Sequence, residues 1–136
     1  MSELALQLIA KEKEEKTGIL DLGKCGLTEL PEELFELTWL TELNVCNVYY
    51  DFILKERVES KNNGTENNLL IIPPSIKKLT LLTTLRIGGN DFFNKWTIQN
   101  ISVLQHLHQL QSLDLSFNQI SDISFLQHLH QLQSLY

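Results

Sequence analysis

The chain has 136 residues and a mass of 15.7 kDa, with 43% hydrophobic and 21% charged residues. That size fits one small domain, and the apolar share is too high for a disordered chain. A net charge of −6 argues against a basic nucleic-acid surface, and no apolar run reaches the ~18 residues that span a membrane. The charge is uneven: residues 1–60 hold 13 acids and 6 bases, residues 61–136 hold 4 acids and 5 bases. The opening MSELALQLIAKEKEEK has neither a basic n-region nor a small-residue cleavage site, so no secretory signal is expected. Two cysteines make no disulfide framework, and a reduced, cytoplasmic location is the expectation.

The first predicted element is a helix over residues 3–16. Ser2 can cap it, Glu3 suits its first turn, and Lys13 and Lys16 suit its last. Leu4, Ala5, Leu8 and Ile9 make one apolar stripe, and Gly18 suits the position just past its end. Residues 1–17 are expected to cover the open edge of whatever follows, since a terminal repeat needs a cap.

From residue 18 onward the chain repeats itself. ILDLGKCGL, LTELNVCNVYY, LTTLRIGGNDF and LQSLDLSFNQI follow one template, L-x-x-L-x-L-x-x-N-x-L. Their anchor leucines are Leu20, Leu43, Leu85 and Leu113, with Leu135 opening a fifth copy. The anchors are spaced by 23, 42, 28 and 22 residues. Two spacings exceed a regular repeat by about 19 and about 6 residues, which places insertions near 51–69 and 93–98. The period itself is written out in full near the C-terminus. ISVLQHLHQLQSL (101–113) and ISFLQHLHQLQSL (123–135) agree at 12 of 13 positions.

Each slot has a physical reading. The x-L-x-L-x stretch is a short strand whose leucines point inward by the period of two. The return segment carries an apolar residue about every third position, as in Leu104, Leu107 and Leu110, which suits a 3₁₀ turn or short helix on the convex side. The slot asparagines, Asn90 and Asn118, can satisfy backbone groups inside the turn. Repeats one and two have Cys25 and Val48 there, so packing is expected to hold those turns.

This pattern resembles the leucine-rich repeat family over residues 18–136. The stretch ELALQLIAKEKEEKTGILDLGKCGLTELPEELFEL more narrowly resembles the start of bacterial leucine-rich repeat proteins, including those of the Roco family, whose repeats precede a GTPase module. Nothing here matches the phosphate-binding G-x-x-x-x-G-K-[ST]. The resemblance implies an α/β fold, a right-handed solenoid with parallel strands on the concave side and 3₁₀ turns on the convex side. It implies one domain over 1–136, with about four and a half repeats behind the capping helix. The implied function is a non-catalytic scaffold that binds another protein. The alternative is a detached recognition domain of a Roco-type GTPase.

Two surfaces are candidates for that binding. The insertion DFILKERVESKNNGTENNL is rich in turn formers, so residues 55–68 are expected to be mobile and the first cut by a protease. Equivalent positions of neighbouring repeats lie close in space, so Tyr49, Tyr50 and Phe52 are expected beside Phe92, Phe93 and Trp96, as a protruding aromatic patch. The second candidate is the concave face, with Glu42, Asn44, Arg86 and Asp114 as outward positions. His106, His108, His128 and His130 form two His-x-His pairs. A metal-responsive role is the weaker reading, because no carboxylate or cysteine flanks them. No catalytic motif is present, so neither an enzyme nor a cofactor is expected. Cys25 is expected to be buried and Cys46 to be accessible on the concave strand. Ile123, Leu126, Leu129, Leu132 and Leu135 form an apolar edge, from which weak self-association is expected.

Overall fold

A computed structural model describes residues 3–51, 53–89 and 96–136. Helix α1 spans Glu3–Glu15 and buries Ala5, Ile9 and Glu12. Leu4 and Leu8 pack half-buried against the same core. The helix ends one turn earlier than Gly18. Lys16 takes a left-handed φ of 49° while its N–H reaches back to Glu12 O at 2.7 Å. Gly18, also left-handed at 85°, turns the chain into the first strand. Ser2 lies outside the described residues. No helix among the described residues is long and apolar enough to cross a membrane.

Five short strands form one parallel sheet: β1 (Ile19–Asp21), β2 (Glu42–Asn44), β5 (Thr84–Arg86), β6 (Ser112–Asp114) and β7 (Ser134–Leu135). The register sets Leu20, Leu43, Leu85, Leu113 and Leu135 in one row, the five anchors read from the sequence. Just past each strand the ladder repeats a bond, Leu22 N to Asn44 O, Val45 N to Arg86 O and Ile87 N to Asp114 O, at 2.8–2.9 Å. Leu22, Val45 and Ile87 are fully buried beneath it. Leu115, expected to complete that stack, is only half-buried because the sheet ends one strand beyond it.

Four 3₁₀ turns line the opposite side: Glu32–Glu36, Pro74–Lys78, Ser102–His106 and Ser124–His128. Each closes by an i→i+3 bond donated by a leucine N–H, as Leu107 N to Leu104 O at 3.0 Å. The apolar third positions Leu34, Leu37, Ile76, Leu79, Leu104 and Leu107 are all fully buried. Near the end of the chain the burial weakens. Phe125 and Leu129 are buried, whereas Leu126 and Leu132 are half-buried.

The long insertion is an ordered element, which corrects the mobile loop expected over 55–68. β3 (Val48–Asp51) and β4 (Glu56–Glu59) pair antiparallel as a hairpin, with Tyr50 opposite Arg57. After the hairpin, Asn62 donates to Asp21 O and Gly23 O, at 2.9 and 2.8 Å. Ser60 Oγ donates to Asp21 Oδ2 at 2.9 Å and also lies 3.1 Å from Gly23 O. The chain runs so close to the first repeat that a Cβ on Gly23 would collide with Cys46 O and with Ser60.

Asn67 explains this packing. Its Oδ1 accepts from Cys25 N and Leu27 N, and its Nδ2 donates to Leu22 O and Val45 O. Asn67, 2% exposed, is therefore the slot asparagine of the second repeat, with Leu69 as its partner leucine. The insertion falls between Val45 and Asn67, before the slot instead of after it. Packing by Val48 was expected to hold that turn; Asn67 does so.

The short insertion follows the same rule. Trp96, Ile98 and Ile101 stand 22 residues before Asn118, Ile120 and Ile123. All three are buried, and Trp96 donates from Nε1 to Asn67 O at 3.1 Å. Asn90, Phe92 and Phe93 lie outside the described residues.

Candidate functional site

The hairpin leaves the sheet at Asn47 and leans over the concave face. Tyr49 stacks on the Arg86 guanidinium, whose carbon lies 4.0 Å from the ring centre. Burial raises the Tyr49 phenol above its ordinary value, with Arg86 pulling it the other way. Arg86 also sits 3.9 Å from Glu42 on the neighbouring strand. Two adjoining cavities open beside this contact. One, of about 270 Å³, has Glu42, Thr84, Ser112 and Ser134 along its floor and Tyr50 and Ile53 from the hairpin as its wall. The other, of about 240 Å³, lies between Tyr49, Arg57, Ser116 and Phe117. Both are also lined by Tyr50, Asp114 and Tyr136, so they form one groove.

The floor follows from the strand period. Glu42, Thr84, Ser112 and Ser134 are register partners and make one row across the sheet. Asn44, Arg86 and Asp114 make the next. Small hydroxyl residues in the first row leave space above the sheet. The hairpin supplies the apolar wall: Tyr50 is 43% exposed, and Ile53 at its tip is 92% exposed. Asp51 Oδ1 accepts from Ile53 N and Leu54 N and so shapes that tip. Phe117, 40% exposed, holds a left-handed φ of 57°, a conformation that strains an aromatic residue and marks places where tertiary structure dictates the backbone.

Of the expected binding residues, the groove gathers Tyr49, Tyr50, Glu42, Arg86 and Asp114. Asn44 is buried. Its amide donates to Asp21 Oδ1 and Cys46 O, at 2.9 and 3.0 Å, and it serves the sheet instead of a partner. Trp96 corrects the aromatic-patch expectation: it is 2% exposed beneath the second repeat and presents no ring to solvent. Phe52 and Phe93 lie outside the described residues. Sequence reasoning missed Arg57, Phe117 and Ile53. The signal for Arg57 and Ile53 was Asn67-x-Leu69, which places the slot and turns the preceding segment into a loop off the concave edge; no sequence signal marked Phe117.

The remaining chemistry lies elsewhere. Cys46 is 1% exposed, not accessible as expected, and burial followed by the Asp114 charge pushes its thiol well above the usual range. Cys25 is raised to about 11 by burial and then by Asp21. Neither is a reactive thiol. The four histidines are exposed on the convex side, where His108 Nδ1 lies 3.3 Å from His128 O. Among the described residues no three metal-ligating side chains gather. A larger cavity of about 480 Å³ lies on the flank beyond the slot residues. Leu70, Ile71 and Val103 line it, and it carries no charged group.

Comparison with known proteins agrees with this architecture. Residues 108–136 match a family model described as leucine-rich repeats in two copies. A search of curated proteins by sequence finds no match. Among solved structures the chain is similar to internalin C2 of Listeria monocytogenes, at 25% identity and a TM-score of 0.58, over 87% of this chain and 43% of that one. It is similar to a leucine-rich repeat protein of Leptospira interrogans, at 24% identity and 0.55, over 93% of this chain and 33% of that one. It is also similar to the ectodomain of the Arabidopsis thaliana receptor kinase GASSHO1/SCHENGEN3, solved with Casparian strip integrity factor 2, at 24% and 0.53, over 93% and 16%. The chain thus spans less than half the length of each of these structures. Repeat motif, strand register and fold together make it a leucine-rich repeat solenoid.

Proposed function

We propose that this chain is a non-catalytic protein-binding module that takes its partner in the groove between the hairpin and the concave sheet. One observation carries the reading. The hairpin holds Tyr50 and Ile53 exposed above a floor of small hydroxyl side chains, where an unadorned repeat would leave the concave face open. Exposed aromatic and aliphatic groups beside polar ones are the composition of an interface core and rim. The structure solved with Casparian strip integrity factor 2 supports the general point that this fold takes protein partners. A cytoplasmic location belongs to the same proposal and rests on two free, buried cysteines.

Site-specific photo-crosslinking tests the reading. A benzoylphenylalanine in place of Tyr50 is expected to capture a partner from source lysate, and the same group in place of His108 on the convex side is not. Capture from the His108 position alone overturns it.

A further inference from the structure

The groove has a charge pattern that selects its occupant. Arg86 and Asp114 are cross-strand neighbours in register, yet they make no ion pair. The guanidinium is turned to Glu42 and stacked on Tyr49. Asp114 is left 8% exposed, facing both cavities. Its carboxylate accepts a bond from Ser116 N at Oδ1, 2.9 Å long. Among the described residues no cation lies within ion-pair distance of it. A desolvated carboxylate without a cation favours a ligand that brings one. Glu42 and Arg86 offset each other, which leaves Asp114 and Asp51 at the hairpin against Arg57, a lining with one negative charge in excess.

Size decides the form of that ligand. The two cavities run on into each other as one open groove along the sheet, where a small-molecule pocket encloses its ligand. The floor row from Glu42 to Ser134 crosses four strands. At ~4.8 Å per strand and ~3.3 Å per extended residue, it accommodates about four residues of peptide. Thr84, Ser112 and Ser134 offer hydroxyls to the peptide backbone, and Tyr50 and Ile53 offer an apolar wall.

Resting on the binding function proposed above, we propose that the groove binds an extended peptide segment in which a lysine or arginine neighbours an apolar residue. The cation sits on Asp114, and the apolar side chain sits against Tyr50 and Ile53. The peptide lies across the strands, beneath the hairpin.

Fluorescently labelled octapeptides alternating leucine with lysine, with serine or with glutamate are the probes, titrated against the full chain. The lysine series is expected to bind, to weaken with added salt, and to lose at least about tenfold in affinity on Asp114→Asn. Asn keeps the acceptor for Ser116 N and removes only the charge. Tyr50→Ala, at a half-exposed position, is expected to weaken it as well. Equal binding of the serine or glutamate series overturns the charge selection while leaving a binding groove standing. Unchanged affinity in both variants overturns the site. No binding by any series overturns the peptide proposal, whereas the crosslinking experiment decides the binding function independently.

Discussion

Two buried polar side chains, Asn67 and Glu12, hold together parts of the chain that sequence spacing does not connect. Asn67 satisfies two N–H groups of the first repeat and two carbonyls, one from each of the first two repeats. Each buried group left unpaired costs about 1–3 kcal/mol. Asn67→Ala is therefore expected to lose more than about 2 kcal/mol in urea denaturation. Asn118→Ala should lose less, because Asn118 is half-buried and donates to Ile87 O and Leu115 O alone. A smaller loss at Asn67 than at Asn118 refutes the slot assignment. Glu12, 4% exposed, receives Thr17 Oγ1, Gly18 N and Trp39 Nε1 at 2.6–2.9 Å. Burial raises its pKa, but the bonds from Thr17, Trp39 and Gly18 outweigh burial and hold it below the ordinary glutamate value. A carboxyl with a lowered folded pKa contributes stability that is complete above its unfolded value and is lost as pH falls through the folded one. Between about pH 6 and pH 3 the urea midpoint should therefore fall further in the wild type than in Glu12→Gln. Parallel curves for the two proteins count against that role.

The hairpin is the element that gives this solenoid its site, and it is separable from the repeat that carries it. Removing residues 48–66 joins Asn47 to Asn67 and restores a second repeat of 23 residues, the length of the first. The slot asparagine and its bonds to Cys25 N and Leu22 O stay in place. The deletion variant is expected to keep its circular dichroism and a single cooperative transition, and to lose binding in the groove. An unfolded deletion variant contradicts separability. Limited trypsin digestion checks the same element from outside. Lys55 sits at the exposed tip with a left-handed φ of 57°, so cleavage is expected there. The segment around Asn62 and Asn67, bonded to the first repeat, should resist.

On the scale of the whole molecule, α1 packs over one end of the sheet and β7 is the edge at the other. Ile123 and Leu135 are 57% and 43% exposed there. A further repeat or a second copy would cover them, and burying such area is worth ~25 cal/mol per Å² before association entropy is subtracted. The 136-residue chain is expected to self-associate reversibly, with light scattering rising over a concentration series and Ile123→Glu suppressing the rise. Leu129, which lies buried, is not the residue to probe this edge. Concentration-independent scattering in the wild type rejects the idea.

The repeat register was fully legible in the sequence. Leu20, Leu43, Leu85, Leu113 and Leu135 align because a solenoid stacks equal positions, so the period alone fixes which residues pair. The 3₁₀ turns and their buried third positions followed from the same period. What escaped was everything off the period. The partner of Asn67 lies 42 residues away in the chain, at Cys25, and no local pattern encodes that bond. The hairpin's lean toward the concave face, and with it the meeting of Tyr49 and Arg86, depends on where the insertion leaves its repeat. The burial of Trp96 depends on which residue fills the slot asparagine's place. Local periodicity determined the scaffold; long-range hydrogen bonds and the exit point of one insertion, visible only in three dimensions, decided the site.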